Sequence, residues 1–320
     1  MRVVFAGTPA FSVPCLEALL NTPDVEVVGV ASQPDRPAGR GMKLTASPVK
    51  QAALAAGLDV ITPERLRGND DALAWLRDKR PDVLVVVAFG MILPVEWLDA
   101  PRIAPLNVHA SLLPRWRGAA PIERAFLAGD DETGVCIMHM EEGLDTGGVY
   151  AVSSLPIGPE TTGADLWESL SGLGAELLIG SLPGIASGAM QAAEQDESQV
   201  TYAAKLSSGE RIIDWSRPAS LVDRQVRCFS PRPGARTLLG GKWLKVIKGE
   251  PCDGHSALPA GSVADDALGI ACGDGSLYRI LMLQPEGRKA MAAADFLRGR
   301  PLGRGDVLGG EVLGGDALGS

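Results

Sequence analysis

Asn107 and His109, two polar residues two positions apart, form the pair best suited to chemistry. They lie in a short apolar run, residues 104–110, that is typical of a β-strand, in which residues two apart point to the same face. An amide beside an imidazole suits acyl transfer, because the amide can bind an oxygen that gains negative charge while the imidazole moves a proton. A structural role fits equally well, with Asn107 satisfying backbone groups and His109 buried beside a partner. The residues alone leave both interpretations open.

A third polar candidate, Asp145, lies in the glycine-rich stretch 140–148 between two predicted strands. Gly143 and Gly147 allow the backbone there to pass close to a ligand. A carboxylate beside an imidazole orients the ring, so Asp145 is a possible partner of His109. A lone aspartate in a loop is more often a turn residue, and that alternative also stays open.

Alternating strands and helices in the first half of the chain must position these residues. The run at residues 82–88 is almost wholly apolar and rich in Val, which is typical of a strand buried on both faces. Strands spaced by helices imply right-handed crossovers, so the predicted fold class is α/β, with a doubly wound, mostly parallel, Rossmann-like sheet. Ligands of such sheets bind beyond the carboxyl ends of the strands. The predicted strands cover residues 2–6, 25–31, 82–88, 104–110, 134–140 and 149–157, and the predicted helices cover 9–20, 48–56, 70–80, 120–128 and 163–189, the last broken near Pro183.

The second half predicts a small antiparallel β-barrel similar to an OB fold. Paired apolar runs around residues 240–241 and 274–275 predict two β-hairpins with glycine in their turns. The predicted organisation is a catalytic domain over residues 1–190, a linker over 191–206, a barrel over 207–305 and a flexible tail over 306–320. The tail consists of three five-residue, glycine-rich units that are too short to build a core.

Composition excludes several classes of protein. The chain has 320 residues, of which 46% are apolar and 22% charged, and this is ordinary for a globular protein of about two domains. No run approaches the roughly 18 consecutive apolar residues of a membrane helix. The five cysteines include no Cys-x-x-Cys pair, and Cys136 with His139 predicts a core thiol beside an unrelated histidine, so no metal site is expected. The first residues lack a signal-peptide layout, and a reducing cytoplasm is the expected location.

The net charge of −9 conceals an uneven distribution. Residues 151–200 carry seven acids and no Lys or Arg, whereas residues 201–250 carry ten Lys or Arg against four acids. A basic face can therefore exist on an acidic protein. The turn after the first strand lacks Gly-x-Gly-x-x-Gly and the chain has no Walker-type Gly-Lys-Ser/Thr, so NAD and ATP sites are not expected.

The Asn-x-His pair, the Ser-Leu-Leu-Pro run after it and the later Leu-Asp-Thr-Gly resemble the formyltransferase family that takes its one-carbon unit from 10-formyltetrahydrofolate. Stretches at residues 5–9, 33–41, 114–122 and 283–287 are similar to the branch of that family that formylates methionyl-initiator-tRNA. The resemblance extends to about residue 308. It implies Asn107, His109 and Asp145 as catalytic residues, 10-formyltetrahydrofolate as co-substrate, no metal, and a monomer. The folate site that it implies consists of Phe89, Gly90, Met91, Ile92, Leu93, Ser111, Leu112, Leu113, Pro114 and Gly143.

Basic residues in two places indicate a nucleic-acid partner. Composition alone favours a solvated loop at residues 33–50, but the resemblance implies that this loop enters the acceptor end of tRNA, and we expect Arg40→Ala to weaken tRNA binding most among changes in the loop. Relatives tend to have aromatic residues at the positions of Arg232 and Arg236, so this chain carries extra positive charge there. The predicted tRNA-binding residues are Arg36, Arg40, Lys43, Lys50, Arg232, Arg236, Lys245 and Lys248.

Four other functions are compatible with parts of this pattern. A sugar-nucleotide formyltransferase would share the three polar residues, and the basic loop and basic barrel argue against it. Glycinamide ribonucleotide formyltransferase activity needs only the first domain. A non-catalytic RNA-binding module would have no need of an intact Asn107, His109 and Asp145. A hydrolase that passes the formyl group to water would use the same three residues, and no sequence feature excludes it.

Overall fold

The computed structural model describes residues 1–38 and 41–309. Arg40 and residues 310–320 of the predicted tail lie outside the described residues. The described chain forms two compact units by Cα proximity. The first comprises Met1–Ala125, Asp131–Ile157 and Trp167–Ala204, and the second comprises Phe126–Asp130, Gly158–Leu166 and the chain from Lys205 onward.

The first part of the chain alternates strands and helices, as the sequence predicts. Its strands are β1 (Arg2–Gly7), β2 (Glu26–Ala31), β3 (Arg36–Ala38), β4 (Lys43–Thr45), β5 (Val60–Ile61), β6 (Val83–Val87), β7 (Ala104–His109), β8 (Arg117–Gly118), β9 (Glu132–His139), β10 (Val149–Pro156) and β11 (Tyr202–Ala203). Its helices are α1 (Val13–Leu20), α2 (Pro48–Ala55), α3 (Asp70–Asp78), α4 (Val95–Leu98), α5 (Pro121–Ala128) and α6 (Gly163–Ser187).

Within the described residues, seven strands of the first unit form one sheet in the order β10-β9-β7-β6-β1-β2-β5. The five strands from β7 to β5 are parallel, and β9 is antiparallel to both of its neighbours. Every residue of β6 is buried, as its Val-rich sequence predicts. The predicted doubly wound, mostly parallel sheet is therefore confirmed. The carboxyl ends of β6 and β7 lie side by side, because Val86 pairs with Asn107.

Polar side chains cap the first turns of α2 and α3. The Ser47 hydroxyl accepts a hydrogen bond from the Lys50 backbone N–H at 3.0 Å, and Pro48 occupies the first turn of α2. The Asn69 side chain caps α3 in the same way, accepting from the Ala72 N–H at 3.0 Å. Both caps satisfy N–H groups that have no partner inside the helix.

Helix α6 runs without a break through Pro183, contrary to the sequence prediction. Proline removes one backbone hydrogen bond. Burial of Leu178, Leu182 and Ile185 on either side of it compensates, because their side chains hold both halves of the helix in place.

Residues 191–204, predicted as a linker, belong to the first unit. Val149 and Ala193 exchange two backbone hydrogen bonds of 2.8 and 2.9 Å, and β11 pairs in parallel with β8. An Ala- and Gln-rich segment carries no periodic apolar signal, so its pairing is not visible in the sequence.

The second unit contains an antiparallel sheet. The residues from 205 onward contribute α7 (Ala219–Phe229), β12 (Ala235–Leu239), β13 (Lys242–Cys252), β14 (Gly269–Ala271), β15 (Leu277–Pro285), β16 (Met291–Ala292) and α8 (Ala293–Gly299). The sheet order among the described residues is β12-β13-β15-β14, with β16 also paired to β15. Both predicted hairpins are present, β12 with β13 and β14 with β15.

Residues 306–309, predicted as part of a flexible tail, close this sheet into a barrel. Leu308 bridges Leu239 of β12, Val307 bridges Ser262, and the neighbouring Val263 bridges Ile270 of β14. Backbone hydrogen bonds of 2.8 Å run from the Leu308 N–H to the Gly261 carbonyl and from the Gly309 N–H to the Leu238 carbonyl. The Leu308 side chain is 1% exposed. The described part of the first repeat unit, residues 306–309, thus forms a short barrel strand, because Val307 is exposed and Leu308 is buried.

We expect Leu308→Ala to destabilise the protein by about 2–5 kcal/mol, the usual cost of deleting a buried leucine side chain. Trp215 lies beside Gly309, so urea unfolding followed by tryptophan emission reports on this strand. Val307→Ala is the matched control, since Val307 is 52% exposed and its truncation is expected to cost less than about 0.5 kcal/mol. Equal midpoints for the two variants would show that residues 306–309 do not seal the barrel.

Candidate active site

Asn107, His109 and Asp145 converge at the carboxyl end of β7. The Asn107 Nδ2 donates to Asp145 Oδ1 at 3.3 Å, and His109 Nδ1 lies 3.7 Å from Asp145 Oδ2. The side chains of His109 and Asp145 are 6% and 15% exposed. Strand alternation places Asn107 and His109 on one face, and the loop between β9 and β10 brings Asp145 to them. The sequence-predicted trio is therefore one constellation in space.

The loop holds Asp145 in an unusual backbone conformation. Asp145 has a φ of 54°, in the left-handed region that few residues other than glycine adopt, although Asp and Asn adopt it more readily than most. Its Oδ2 accepts a hydrogen bond from the Gly118 backbone N–H at 2.8 Å. The carboxylate thus binds an N–H of β8 with one oxygen and the Asn107 amide with the other.

The orientation of the His109 ring follows from its partners. Nε2 lies 3.0 Å from the Trp116 carbonyl oxygen, which can only accept, so Nε2 carries the hydrogen. Nδ1 is then the nitrogen that faces Asp145 and can take up or release a proton. Trp116 itself has a φ of 66°, in the left-handed region.

The predicted folate-binding residues after β6 form a turn that two side chains brace. Phe89 and Leu93 are buried, Gly90 has a φ of 79°, Met91 is half-buried and Ile92 is 90% exposed. The Phe89 carbonyl accepts hydrogen bonds from the Thr8 hydroxyl at 2.8 Å and from the Gln33 amide at 3.1 Å. The same amide donates to the Gly90 carbonyl at 2.9 Å.

The second predicted folate segment, Ser111 to Pro114, follows β7 directly. Ser111 is fully buried and its hydroxyl donates to the Arg115 carbonyl at 2.7 Å. The Ser111 carbonyl accepts from the Cys136 thiol at 3.1 Å, and burial raises the pKa of that thiol to about 11. Leu112, Leu113 and Pro114 are half-buried, with a cis bond between the last two. The third predicted element, Gly143, has a φ of 146° in the loop that carries Asp145.

Cys136 and His139 do not form a site together. His139 Nδ1 lies 3.4 Å from the Tyr150 hydroxyl at the base of the loop. Burial raises the pKa of Tyr150. Among the described residues, no cluster of three or more His, Cys, Asp or Glu side chains is arranged to hold a metal ion.

Three of the predicted tRNA-binding residues of the first unit are described, two on a hairpin and one, Lys50, in the first turn of α2. Arg36 in β3 and Lys43 in β4 are exposed, and the two strands pair antiparallel. Lys50 is different, because its ammonium group already forms a 2.7 Å ion pair with Asp35. Arg40 lies outside the described residues.

The predicted tRNA-binding residues of the second unit lie on β12, β13 and the turn before β12. Arg236 lies directly opposite Lys245 in the strand pair, and its guanidinium stacks over the Trp243 ring at 4.0 Å. Partial burial, and then the charge of Arg211, lower the pKa of Arg236. Arg232 and Lys248 are exposed. Among the described residues, none of these four predicted cations forms an ion pair.

Sequence reasoning missed three residues that hold the site together. Gln33 braces the turn after β6, while Arg117 and Gln195 support the loop of Asp145. Arg117 is 1% exposed although it is an arginine. A bracing glutamine has no signature in one sequence, because its partner carbonyls are backbone groups common to every residue. The buried arginine has none either, because its partners, the Gln195 and Glu197 side chains, lie about 80 residues away in the chain.

The chain also matches known proteins over most of its length. The formyl transferase profile matches residues 1–182, and the profile described as formyl transferase, C-terminal domain, matches residues 205–301. The chain belongs to the formyl transferase family. It is 49% identical over 309 residues to the methionyl-tRNA formyltransferase of Acidiphilium cryptum, a match that covers 97% of this chain and 100% of that protein. It is 50% identical over 313 residues to the methionyl-tRNA formyltransferase of Thiobacillus denitrificans, again covering 97% and 100% of the two chains.

A solved structure shares the fold. The N-formyltransferase from Helicobacter canadensis, in complex with folinic acid and dTDP-3-aminofucose, superposes with a TM-score of 0.66. The match is 19% identical and covers 89% of this chain and 99% of that one. At this identity the likeness shows a common fold.

Proposed function

We propose that this protein transfers the formyl group of 10-formyltetrahydrofolate to the amino group of methionyl-initiator-tRNA. The observation that carries the proposal is the convergence of Asn107, His109 and Asp145 at the carboxyl edge of a formyl transferase sheet. Near-full-length relatives that are named methionyl-tRNA formyltransferase support the acceptor.

The three side chains have separate roles in the transfer. The amine nitrogen bonds to the formyl carbon, the bond from that carbon to the folate nitrogen breaks, and a proton passes from the amine to the folate nitrogen. One N–H of the Asn107 amide donates to Asp145, and the same nitrogen also contacts the Met138 Sδ at 4.0 Å. A thioether is a weak acceptor, so the formyl oxygen can replace it and be stabilised by that N–H as it gains negative charge. His109 moves the proton through Nδ1, and Asp145 offsets the charge on the ring when it does so. No covalent bond to the protein is needed.

The residues around this constellation suit a folate. A flat ring with a polar edge needs apolar cover together with backbone groups, and the turn after β6 and the loop of Asp145 offer both. Ile92 is 90% and Leu144 is 55% exposed, so apolar side chains on both segments are available to cover such a ring. The backbone of Phe89 to Leu93, the Ser111 to Pro114 segment and Gly143 are the groups that would hold it.

The barrel offers a surface for a polyanion. Like charges directly opposite each other in a sheet destabilise it, so the Arg236–Lys245 pair is costly unless a negative partner binds there. Trp243 adds an aromatic face on which a base can stack. Together with the Arg36 and Lys43 hairpin, these features support tRNA as the acceptor.

Binding of methionyl-tRNA is expected to weaken steeply with salt, because phosphate contacts release counterions. Lys245→Ala is expected to lower the affinity and to reduce the slope of log K against log salt concentration by about one. Filter binding of charged tRNA at several salt concentrations measures both. Arg298→Ala is the control, since Arg298 is exposed and already paired with Asp295. Salt-independent binding, or equal slopes for the two variants, would contradict this electrostatic account.

Labelled formyl donor distinguishes this function from its alternatives. Supplied with labelled 10-formyltetrahydrofolate, the protein is expected to label methionyl-initiator-tRNA in preference to an aminoacylated elongator tRNA. A labelled UDP-amino sugar instead would identify a sugar-nucleotide formyltransferase, and free labelled formate would identify a hydrolase. Failure to label any acceptor while tRNA still binds would identify a non-catalytic RNA-binding protein.

We further propose that the protein acts in the cytoplasm, as a monomer. None of the five cysteines, all of which lie within the described residues, forms a disulfide, in keeping with a reducing compartment. Among the described residues, α6 is the one helix whose length and composition would suit a bilayer. It packs on the sheet instead, since Gly174 lies against Val108 and Val135, and the Ser171 hydroxyl donates to the Phe11 carbonyl at 2.6 Å.

A further inference from the structure

Gln195 connects the segment after α6 to the loop that carries Asp145. Its side-chain Nε2 donates to the Asp145 carbonyl at 2.8 Å and to the Gly147 carbonyl at 2.7 Å. Its Oε1 accepts from Arg117 Nε at 3.0 Å. Both donors of this half-buried amide are therefore used, and its oxygen accepts one hydrogen bond.

Arg117 fixes which way the Gln195 amide points. A guanidinium can only donate, so the amide oxygen must face Arg117 and the NH₂ group must face the loop carbonyls. Arg117 is itself immobilised, because Glu197 accepts from its two terminal nitrogens at 2.7 and 3.3 Å. The orientation of Gln195 is therefore determined by a buried charge.

Both the side chain and the backbone of Asp145 are attached to the two-residue strand β8. The Gly118 N–H binds the Asp145 carboxylate directly. The neighbouring Arg117 binds Gln195, which in turn holds the carbonyls of Asp145 and Gly147. A residue at a φ of 54° keeps that conformation only where its surroundings determine it, and these bonds are such surroundings.

We propose that Gln195 is a positioning residue for formyl transfer. It holds the loop backbone so that the Asp145 carboxylate stays bonded to Gly118 and Asn107 and faces His109. The inference rests on the proposed function, in which Asp145 assists His109. It assigns Gln195 no contact with either substrate.

Gln195→Ala is expected to lower kcat about 10- to 100-fold, since a displacement of about 1 Å in a reacting constellation can cost about 100-fold. The KM values for the formyl donor and the tRNA are expected to stay within about twofold, because an interaction that acts on the transition state lowers kcat without changing binding. Gln195→Glu is expected to lower kcat in the same way, since an ionised carboxylate is the same size but has no hydrogen to donate.

Gln191→Ala is the matched control. Gln191 is an exposed glutamine four residues earlier whose amide also donates to a backbone carbonyl, that of Gly188 at the end of α6. Its kcat and KM are expected to equal those of the unmodified protein. A circular dichroism melt of each variant checks that the folded fraction is unchanged.

A readout without turnover separates this inference from the proposed function. Amide hydrogen exchange, measured by mass spectrometry on peptides that span residues 117–118 and 143–148, is expected to quicken in Gln195→Ala and not in Gln191→Ala. If the unmodified protein labels no tRNA, the proposed function is wrong. The amide hydrogen exchange of Gln195→Ala would still decide whether Gln195 holds the loop. Unchanged exchange in Gln195→Ala, or a kcat within about twofold of the unmodified value in an active protein, would overturn the role of Gln195.

Discussion

Replacement of His109 by alanine is expected to lower turnover about 10²- to 10⁴-fold, the range that a positioned acid–base group contributes. The ring is nearly buried, its Nε2 is held by the Trp116 carbonyl and its Nδ1 faces Asp145, and an alanine supplies no group that can transfer a proton there. The folate donor is expected to bind as before, because the predicted folate segments are braced by Thr8, Gln33 and Cys136 and not by His109.

Single-turnover transfer of labelled formyl groups measures the loss, and equilibrium titration of the folate measures binding. His255→Ala is the matched control, since His255 is an exposed histidine of the second unit. Added imidazole is expected to restore part of the activity of His109→Ala and none in a variant whose fold is damaged. Near-normal turnover in His109→Ala would remove His109 from the mechanism.

Asp145→Asn is expected to lower turnover to a similar extent, about 10²- to 10⁴-fold. The carboxylate accepts from Asn107 Nδ2 with one oxygen and from the Gly118 N–H with the other. An asparagine has a single acceptor oxygen, so its NH₂ group must face one of these two donors. The negative charge that offsets a protonated His109 is lost as well.

The fold is expected to survive this substitution, because asparagine adopts a positive φ as readily as aspartate. Asp24→Asn is therefore an informative control, since Asp24 is an exposed aspartate with a φ of 62°. The two variants are expected to melt at the same temperature, and Asp145→Asn alone is expected to lose activity. Retention of activity in Asp145→Asn would leave Asp145 as a turn residue, the alternative that its sequence context favours.

The spacing of apolar residues predicted most strands and helices of the first unit, because such spacing depends only on residues that are close in the sequence. The Val-rich run of β6 reports burial on both faces, and the two-residue spacing of Asn107 and His109 reports a shared face of β7. Neither signal depends on a distant part of the chain. That Asp145 would meet this pair was an expectation from its chemistry alone, since 35 residues lie between it and His109.

The features that the sequence did not predict depend on contacts between distant segments. Gln195 binds backbone carbonyls, which leave no trace in the sequence, and Arg117 is buried by partners near residue 195. Pro183 argued for a helix break that burial of neighbouring leucines overcame. The glycine-rich composition of the tail suggested flexibility, yet Gly305 and Gly309, with φ angles of 96° and 104°, allow the backbone to turn at both ends of that short strand.

The strand at residues 306–309 also affects the order in which the chain folds. Leu308 pairs with Leu239, about 70 residues earlier, and closure over such a long loop is slow compared with local pairing. During synthesis on a ribosome, Leu239 of β12 and Ser262 must therefore wait for their partners until residue 308 has emerged, whereas β14 already pairs with Val263. In the first unit, all seven strands of the main sheet have emerged once β10 has been synthesised. A prematurely terminated product would expose those unpaired edges to neighbouring chains and to proteases.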